Sequence, residues 1–402
     1  MERSDTQNNL DAFDTSPDAT TDDFESQNSM IPSEKLENKM QQETEEIIKT
    51  TPNEADQIDA IAAKRNWFRP DPDNYPTYAT VKAYMAGTPD PAAAVEKLAE
   101  PIDQAYSTAD HGQAIRNAEN VAANQRQYHN AEDAREWWGE PLPADEVPAE
   151  DDTQPTTEGL LWELWYTVLH VAKQTPWQED AGAGAGAAQE KLVDLVRALK
   201  ARPDPPAPAK MTKALQNDWI WASGTLWSEL TMLGPSTREC WNDAPGCGSG
   251  FSVPEIHAWA NLNAFIARLT RADLAGFWVY AIWAIRDALE VERKDYEPAH
   301  KPERAAKLLD AYVPAAAAWI IVMGRELWEK DEDLTPKNPN QEDPARGGAL
   351  WKGKSAFCKE RWDLWATRFE ALSGMEDLMT ETREIAAEIF ARMEEIKRTA
   401  AP

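Results

Sequence analysis

Leu160-Leu161-Trp162-Glu163-Leu164-Trp165-Tyr166-Thr167-Val168-Leu169-His170-Val171 is the stretch whose spacing decides the fold class. Leu160, Leu161, Leu164, Trp165, Val168 and Val171 recur every three or four residues, which draws a wide apolar stripe on an α-helix and fits no strand alternation. Downstream, Leu192, Leu195, Val196 and Leu199 repeat the pattern and stop before Arg202-Pro-Asp-Pro-Pro. Between the two stripes lies Ala181-Gly-Ala-Gly-Ala-Gly-Ala-Ala, a low-complexity surface connection.

Upstream, Asp90-Pro91 supplies an N-cap and a first-turn proline, after which Val95, Leu98 and Ile102 share one face and polar helix continues to Trp138. Towards the C-terminus, Ser236-x-x-Glu239, Ser252-x-x-Glu255 and Ser373-x-x-Glu376 fit the capping box. Leu378, Ile385, Ile389, Met393 and Ile396 then line a long terminal amphipathic helix. The chain therefore reads as all-α: a multi-helix antiparallel bundle or an irregular helical array, stacked helices of solenoid type included. The apolar runs Leu274 to Ile285 and Ala311 to Met323 fall short of the roughly 20 residues a bilayer needs, and read as buried helices.

Charge and aromatics divide the 402 residues. Acids number 70 against 41 Lys and Arg, for a formal charge of -29. Residues 1–66 hold 16 acids and 6 bases and, among aromatics, only Phe13 and Phe24. They are expected to form a disordered acidic tail, with transient helices or a partner-binding segment where Leu36, Met40, Ile47, Ile48, Ile58, Ile61 and Ala62 fall at helical spacing. The expected parts are that tail, an N-terminal helical part at 67–139, an acidic Pro-rich linker and hinge at 140–156, and a main Trp-rich helical domain at 157–398. Such an acidic surface repels phosphate backbones and anionic headgroups, so neither nucleic acid nor a membrane is expected as a partner. Three cysteines build no disulfide framework, and the acidic N-terminus lacks a targeting run. The expected location is cytoplasmic, with the nucleus left open.

Several segments carry a resemblance. Leu161-Trp162-x-Leu164-Trp165 is followed by Leu226-Trp227-x-x-Leu230-x-x-Leu233-Gly234-Pro235-x-x-Arg238-Glu239-x-Trp241-Asn242. Further on come Trp259-x-x-Leu262-Asn263-x-Phe265-x-Ala267-Arg268-Leu269, Gly347-Gly348-x-Leu350-Trp351-x-Gly353 and Arg361-Trp362-x-x-Trp365-x-x-Arg368-Phe369. From about Tyr75 to Lys397 the chain resembles the filamentous-fungal family known as domain of unknown function 3632. The resemblance implies a fungal, mostly helical, intracellular protein and brings no catalytic residues. Neither the acidic tail nor the Ala/Gly insert belongs to the pattern.

Of 18 tryptophans, 15 follow residue 157. A Trp-filled core with indole N–H groups held by carbonyls, Asn, Asp or Glu is weighed against an aromatic cavity for a planar or cationic ligand. Gly348-Ala-Leu-Trp-Lys-Gly353-Lys354-Ser355 satisfies the phosphate-loop formula, but three prolines precede it where an apolar strand should feed it. An ordered surface loop is expected there, and no bound nucleotide. The five histidines and Cys240/Cys247 lack metal-ligand spacing, so no metal and no cofactor are expected. Asp110-His111 and Tyr166/His170 read as structural hydrogen-bonding pairs.

The polar groups set against apolar faces are Arg238, Glu239, Asn242, Glu360, Arg361 and Arg368, among Trp241, Trp362 and Trp365. Either they pair and staple helices, the arginines using carboxylates such as Glu360, or the arginines face a Trp-walled cleft that takes an anion. Two functions follow: an interaction or scaffold protein with a protein partner, or a small-molecule binder or enzyme with a Trp/Arg-lined cleft.

Overall fold

The computed structural model describes residues 33–69, 76–109, 111–147, 156–178, 187–206, 212–217, 220, 225–295, 305–338 and 340–400. The first half holds α1 (Ser33–Thr50), α2 (Glu54–Arg65), α3 (Thr77–Met85), α4 (Pro91–Gln104), α5 (His111–Arg126), α6 (Ala131–Trp138), α7 (Thr157–Gln174) and α8 (Ala187–Lys200). There follow α9 (Lys213–Gln216), α10 (Leu233–Cys240), α11 (Val253–Arg271), α12 (Trp278–Ile285), α13 (Ala305–Glu329), α14 (Lys359–Ser373) and α15 (Thr380–Ala400). Extended pairing among the described residues amounts to β1 (Glu332–Asp333) against β2 (Ala356–Phe357), antiparallel, and an isolated bridge between Pro245 and Ser249. The class is all-α.

Helix α11 is the axis. Nearly every residue from Pro254 to Thr270 is buried, because α13, α7, α8 and α2 pack around it. A helix enclosed on all sides must satisfy its polar residues internally. Asn263 Oδ1 accepts the Trp319 indole at 2.9 Å, and Asn261 ties the Lys173 carbonyl and the Trp177 amide at 2.8 and 2.9 Å. Other indoles also cross between elements, Trp165 to the Thr231 carbonyl and Trp227 to Asp103, both at 2.7 Å. The arrangement is a filled core at these crossings.

Helix α13 runs 25 residues through Pro314 and a kink at Met323. Beside the kink, the Ile321 and Val322 carbonyls accept from Arg392 and Arg271 at 3.1 Å. By length and composition α13 is long and apolar enough to cross a membrane, unlike the shorter apolar run inside it, but most of it is buried against α11, α12 and α15.

Several boundaries differ from the sequence reading. Helix α2 is docked, with Ile58, Ile61 and Ala62 buried against α7 and α11, so the tail expected at 1–66 gives way to structure by Ser33. Residues 1–32 lie outside the described residues. The parts at 67–139 and 157–398 share one hydrophobic core, since α3 and α4 pack on α7 and α8, and Arg202 pairs with Asp103 at 2.7 Å. The segment at 140–156 therefore links two portions of one packed body; its stretch 148–155 and the Ala181 insert fall outside the described residues. Of the three capping boxes only Ser252/Glu255 forms. Ser236 lies inside α10, and Ser373 ends α14.

Candidate functional site

The nine candidate residues separate into two groups. Arg361, Trp362, Trp365 and Arg368 recur at helical spacing on the inward side of α14, with Glu360 on its exposed side. Facing them, a π-helical turn Arg286–Glu290 continues α12 and ends with Glu290 fully buried. Arg361 Nε and Nη2 meet Glu290 Oε1 and Oε2 at 2.6 and 3.0 Å, and both side chains are 0% exposed. Arg361 Nη1 also donates to the Ala345 and Ala356 carbonyls at 3.0 Å. Glu290 additionally accepts the Trp365 indole at 2.7 Å and the Gly348 amide at 2.9 Å. Such a fork-to-fork pair with every lone pair engaged is the arrangement a buried ion pair needs. The partner of Arg361 is thus Glu290, 71 positions away, and not Glu360. Arg368 Nε donates to the Leu289 carbonyl at 3.2 Å, while Trp362 packs edge-on against Trp328.

The loop with the phosphate-binding formula wraps this pair. Gly348 donates its amide to Glu290, and a Cβ at that position would lie 2.5 Å from the Glu290 carbonyl. Leu350 donates to the same carbonyl at 2.8 Å. Lys354 pairs with Asp333 at 2.9 Å, and Ser355 donates to Asp343 at 2.5 Å. The Asp333 carboxyl is held far below its usual range by hydrogen bonds from Thr335 and Lys354. The amide of Gly348, the lysine and the hydroxyl of the formula therefore all serve carboxylates of this chain.

Arg238, Glu239, Trp241 and Asn242 sit apart, at the end of α10. Trp241 is half-buried and packs on Trp259, Tyr280 and Trp283 at 4.6, 4.7 and 6.1 Å between ring centroids. Arg238, exposed, lies over Trp283 at 5.8 Å and reaches Asn242 Oδ1 at 3.4 Å. Asn242 in turn donates to Glu239 at 3.3 Å. Burial pushes the Tyr280 hydroxyl up to about 12 against the pull of Arg238, and pushes the Cys240 thiol up to about 12, leaving it protonated. The result is a surface shelf of aromatics crossed by an arginine. The 343–357 loop touches both groups, because Trp283 donates to the Pro344 carbonyl at 2.7 Å. The arginines do not converge on a shared opening: Arg361 is enclosed and Arg238 is outside.

Two histidine clusters escaped the sequence reading because a carboxylate partner of each, Asp59 or Glu54, lies in the presumed tail. His170 Nε2 is 2.6 Å from Asp59, which also accepts Tyr78 at 2.6 and 2.8 Å, while Phe68 stacks on the imidazole at 4.4 Å. Burial lowers the His170 pKa against the pull of Asp59, and the tautomer that fits this contact carries its proton on Nε2, facing the carboxylate. Burial also raises the Asp59 carboxyl, but the His170 and Tyr78 hydrogen bonds outweigh it and hold it below the usual range. Tyr166, expected beside His170, stacks on Trp162 instead at 5.1 Å. His257 is the converse case: Nδ1 is 2.6 Å from Glu54 and Nε2 3.4 Å from Glu381. Burial lowers its pKa, yet the two carboxylates overcome this and raise it. Asp110 lies outside the described residues.

Among the described residues no group of three or more His, Cys, Asp or Glu could hold a metal ion. A surface groove of about 290 Å³ runs beside the α13 kink, lined by Ile321, Val322, Gly324, Arg392 and Ile396 among others. It contains none of the candidate residues.

The model of the family described as Protein of unknown function (DUF3632) matches residues 165–369. The chain belongs to this family. The match covers α8 to α13 entirely and most of α7 and α14, a narrower span than the resemblance from Tyr75 to Lys397. Both the Glu290–Arg361 pair and the α10 shelf fall inside the family region; Asp59, Glu54 and Glu381 fall outside it. No curated protein matches the chain, and no solved structure matches it.

Proposed function

We propose that the protein is an intracellular, cytoplasmic helical scaffold whose task is to present surfaces to a protein partner. The carrying observation is how Glu290 and Arg361 are used: the most deeply buried opposite charges of the family region saturate each other inside a closed core. Binding and catalytic clefts keep convergent polar groups open to a ligand. Here such groups bind α12, α14 and the 343–357 loop to one another instead. Indoles of Trp165, Trp227, Trp319 and Trp365 are likewise spent on internal acceptors.

A second reading, a small-molecule site, rests on the α10 shelf, where Arg238 lies over Trp283 beside half-buried Trp241. An aromatic face and an adjacent guanidinium suit a planar anion. Native mass spectrometry of the full chain purified from its own cells decides between the two. Scaffolding predicts a stoichiometric protein partner and no retained small molecule. A small molecule held at unit stoichiometry, and lost on Arg238→Ala, would overturn the scaffold reading.

A further inference from the structure

Among the described residues, the most exposed aromatic side chains belong to the α5–α6 region. Tyr128, in the turn after α5, is 77% exposed; Trp137, near the end of α6, is 60% exposed; Val121 of α5 is exposed as well. Trp138, one residue on, does the packing: its ring meets His129 at 4.9 Å and its carbonyl accepts Arg126 at 2.9 Å. One residue is a rotation of about 100° around a helix, so Trp137 is carried away from the side that Trp138 buries. An exposed indole of this size is a common anchor of protein interfaces, where aromatics dominate the affinity.

The backbone that carries Trp137 is fixed before any partner arrives. Asn130 caps the start of α6 by accepting the Glu132 and Asp133 amides at 3.1 and 3.0 Å. Gly139 ends the helix at φ 70°, and Asn217 donates to the Trp137 carbonyl. A preorganised anchor loses little freedom on binding.

Charge selects the occupant. Glu132, Asp133, Glu136, Glu140, Asp145 and Glu146 are all exposed around or just after α6. Asp133 precedes Trp137 by four positions, which places both on one side of the helix. Arg135 is the base within α6 and pairs with Glu140; Arg126 at the end of α5, paired with Glu119, and Lys213 of α9, beside Gly139, are the other nearby cations, and the exposed carboxylates still outnumber them. A nucleic acid, an anionic membrane or a second copy of this chain would bring like charge to the patch. A lysine or arginine would lie over the indole face and pair with the surrounding carboxylates.

We propose that the α6 surface centred on Trp137 docks a basic, amphipathic segment of a partner protein. The proposal rests on the scaffold reading above and deepens it.

The test uses the full chain and two fluorescent synthetic peptides, one a Lys/Leu amphipathic helix and the other its Glu/Leu charge-reversed counterpart. Anisotropy is read at about 150 mM salt, where distant exposed charges are screened. Saturable binding of the basic peptide is expected, weakened roughly tenfold or more by Trp137→Ala, as befits an interface anchor, and similarly by Asp133→Lys with Glu136→Lys. Met375→Ala, an exposed apolar residue beyond α14, should leave it unchanged. Circular dichroism checks that each surface variant is folded. No saturable binding, equal binding of the acidic peptide, or indifference to Trp137→Ala would each overturn the proposal. So would self-association of the wild-type chain by light scattering that Trp137→Ala abolishes, since the occupant would then be a second copy. A native partner retained equally by wild type and Trp137→Ala removes this surface but leaves the scaffold reading intact. A retained small molecule with no partner overturns both.

Discussion

Glu290 and Arg361 face each other across α12 and α14 as a two-bonded pair, at 2.6 and 3.0 Å, with no solvent contact on either side chain. Glu290 lies at the end of a π-helical turn, where the widened backbone brings it under the 343–357 loop. Removing one member strands the other in the core, whereas removing both strands neither. Arg361→Met or Glu290→Leu alone should cost about 3–5 kcal/mol of folding stability. The double variant should cost clearly less than the two singles added, with a coupling of at least about 1 kcal/mol. Urea unfolding with all three variants measures it. If Arg361→Met lies within about 0.5 kcal/mol of wild type, as an ordinary surface change would, the pair is not structural.

The phosphate-loop formula should dissociate into residues that matter and residues that do not. At Gly348 a methyl group would meet the Glu290 carbonyl at 2.5 Å, a backbone atom with no room to retreat. Gly348→Ala is therefore expected to destabilise by about 1–3 kcal/mol or more, the cost of overpacking. Lys354, at the surface, forms an exposed pair with Asp333 that solvent screens, so its loss should leave stability nearly unchanged. In a nucleotide loop the order of importance would be reversed, with the lysine decisive for binding. Calorimetric titration with magnesium-ATP should give no isotherm that depends on Lys354. A saturable one abolished by Lys354→Ala would contradict the pairing described.

Local signals were legible in the sequence and distant partners were not. The stripe from Leu160 to Val171, the Asp90-Pro91 start and the Ser252/Glu255 box each concern residues within a few positions of one another, and each corresponds to an observed helix or cap. Arg361 could be seen to lie among tryptophans, but Glu290 carries no mark of its own in Asp-Ala-Leu-Glu. Composition was misleading for α2. Its acids and bases look solvated until Arg65 is seen on Glu255, 190 positions away, and Asp59 on His170, 111 away. The Ser236 and Ser373 boxes failed for a related reason, since a four-residue formula does not specify which end of a helix it occupies.

The two histidines should act on opposite sides of pH ~6.5, the ordinary imidazole value. His257 has a raised pKa in the folded protein, because both ring nitrogens face carboxylates. Its contribution is complete below ~6.5 and is lost as pH rises through the raised value. His170 has a lowered pKa through burial, so its contribution is present above ~6.5 and is lost as pH falls through the lowered value. Urea midpoints should therefore decline on both sides. His257→Gln should flatten the alkaline decline and leave the acid one, and His170→Gln the reverse. An alkaline slope unchanged by His257→Gln would show that the Glu54–His257–Glu381 bridge contributes nothing.

Truncation at residue 67 should be costly, the reverse of what the composition of residues 1–66 suggests. Without α2, Ile58 and Ile61 no longer cover α7 and α11, and His170 loses the acceptor for its Nε2 proton while remaining buried. Glu255, also buried, loses Arg65 at 2.6 Å, though it keeps the Gly250 and Ser252 amides. A stranded buried donor costs about 1–3 kcal/mol, and each lost apolar contact adds to it. Circular dichroism should accordingly place the midpoint of the 67–402 chain more than about 5 °C below that of the full chain. A 33–402 chain retains every contact described for α1 and α2 and should melt with the full chain. If 67–402 also melts with the full chain, α1 and α2 add no net stability, and the burial of Ile58 and Ile61 is offset by the cost of ordering these helices.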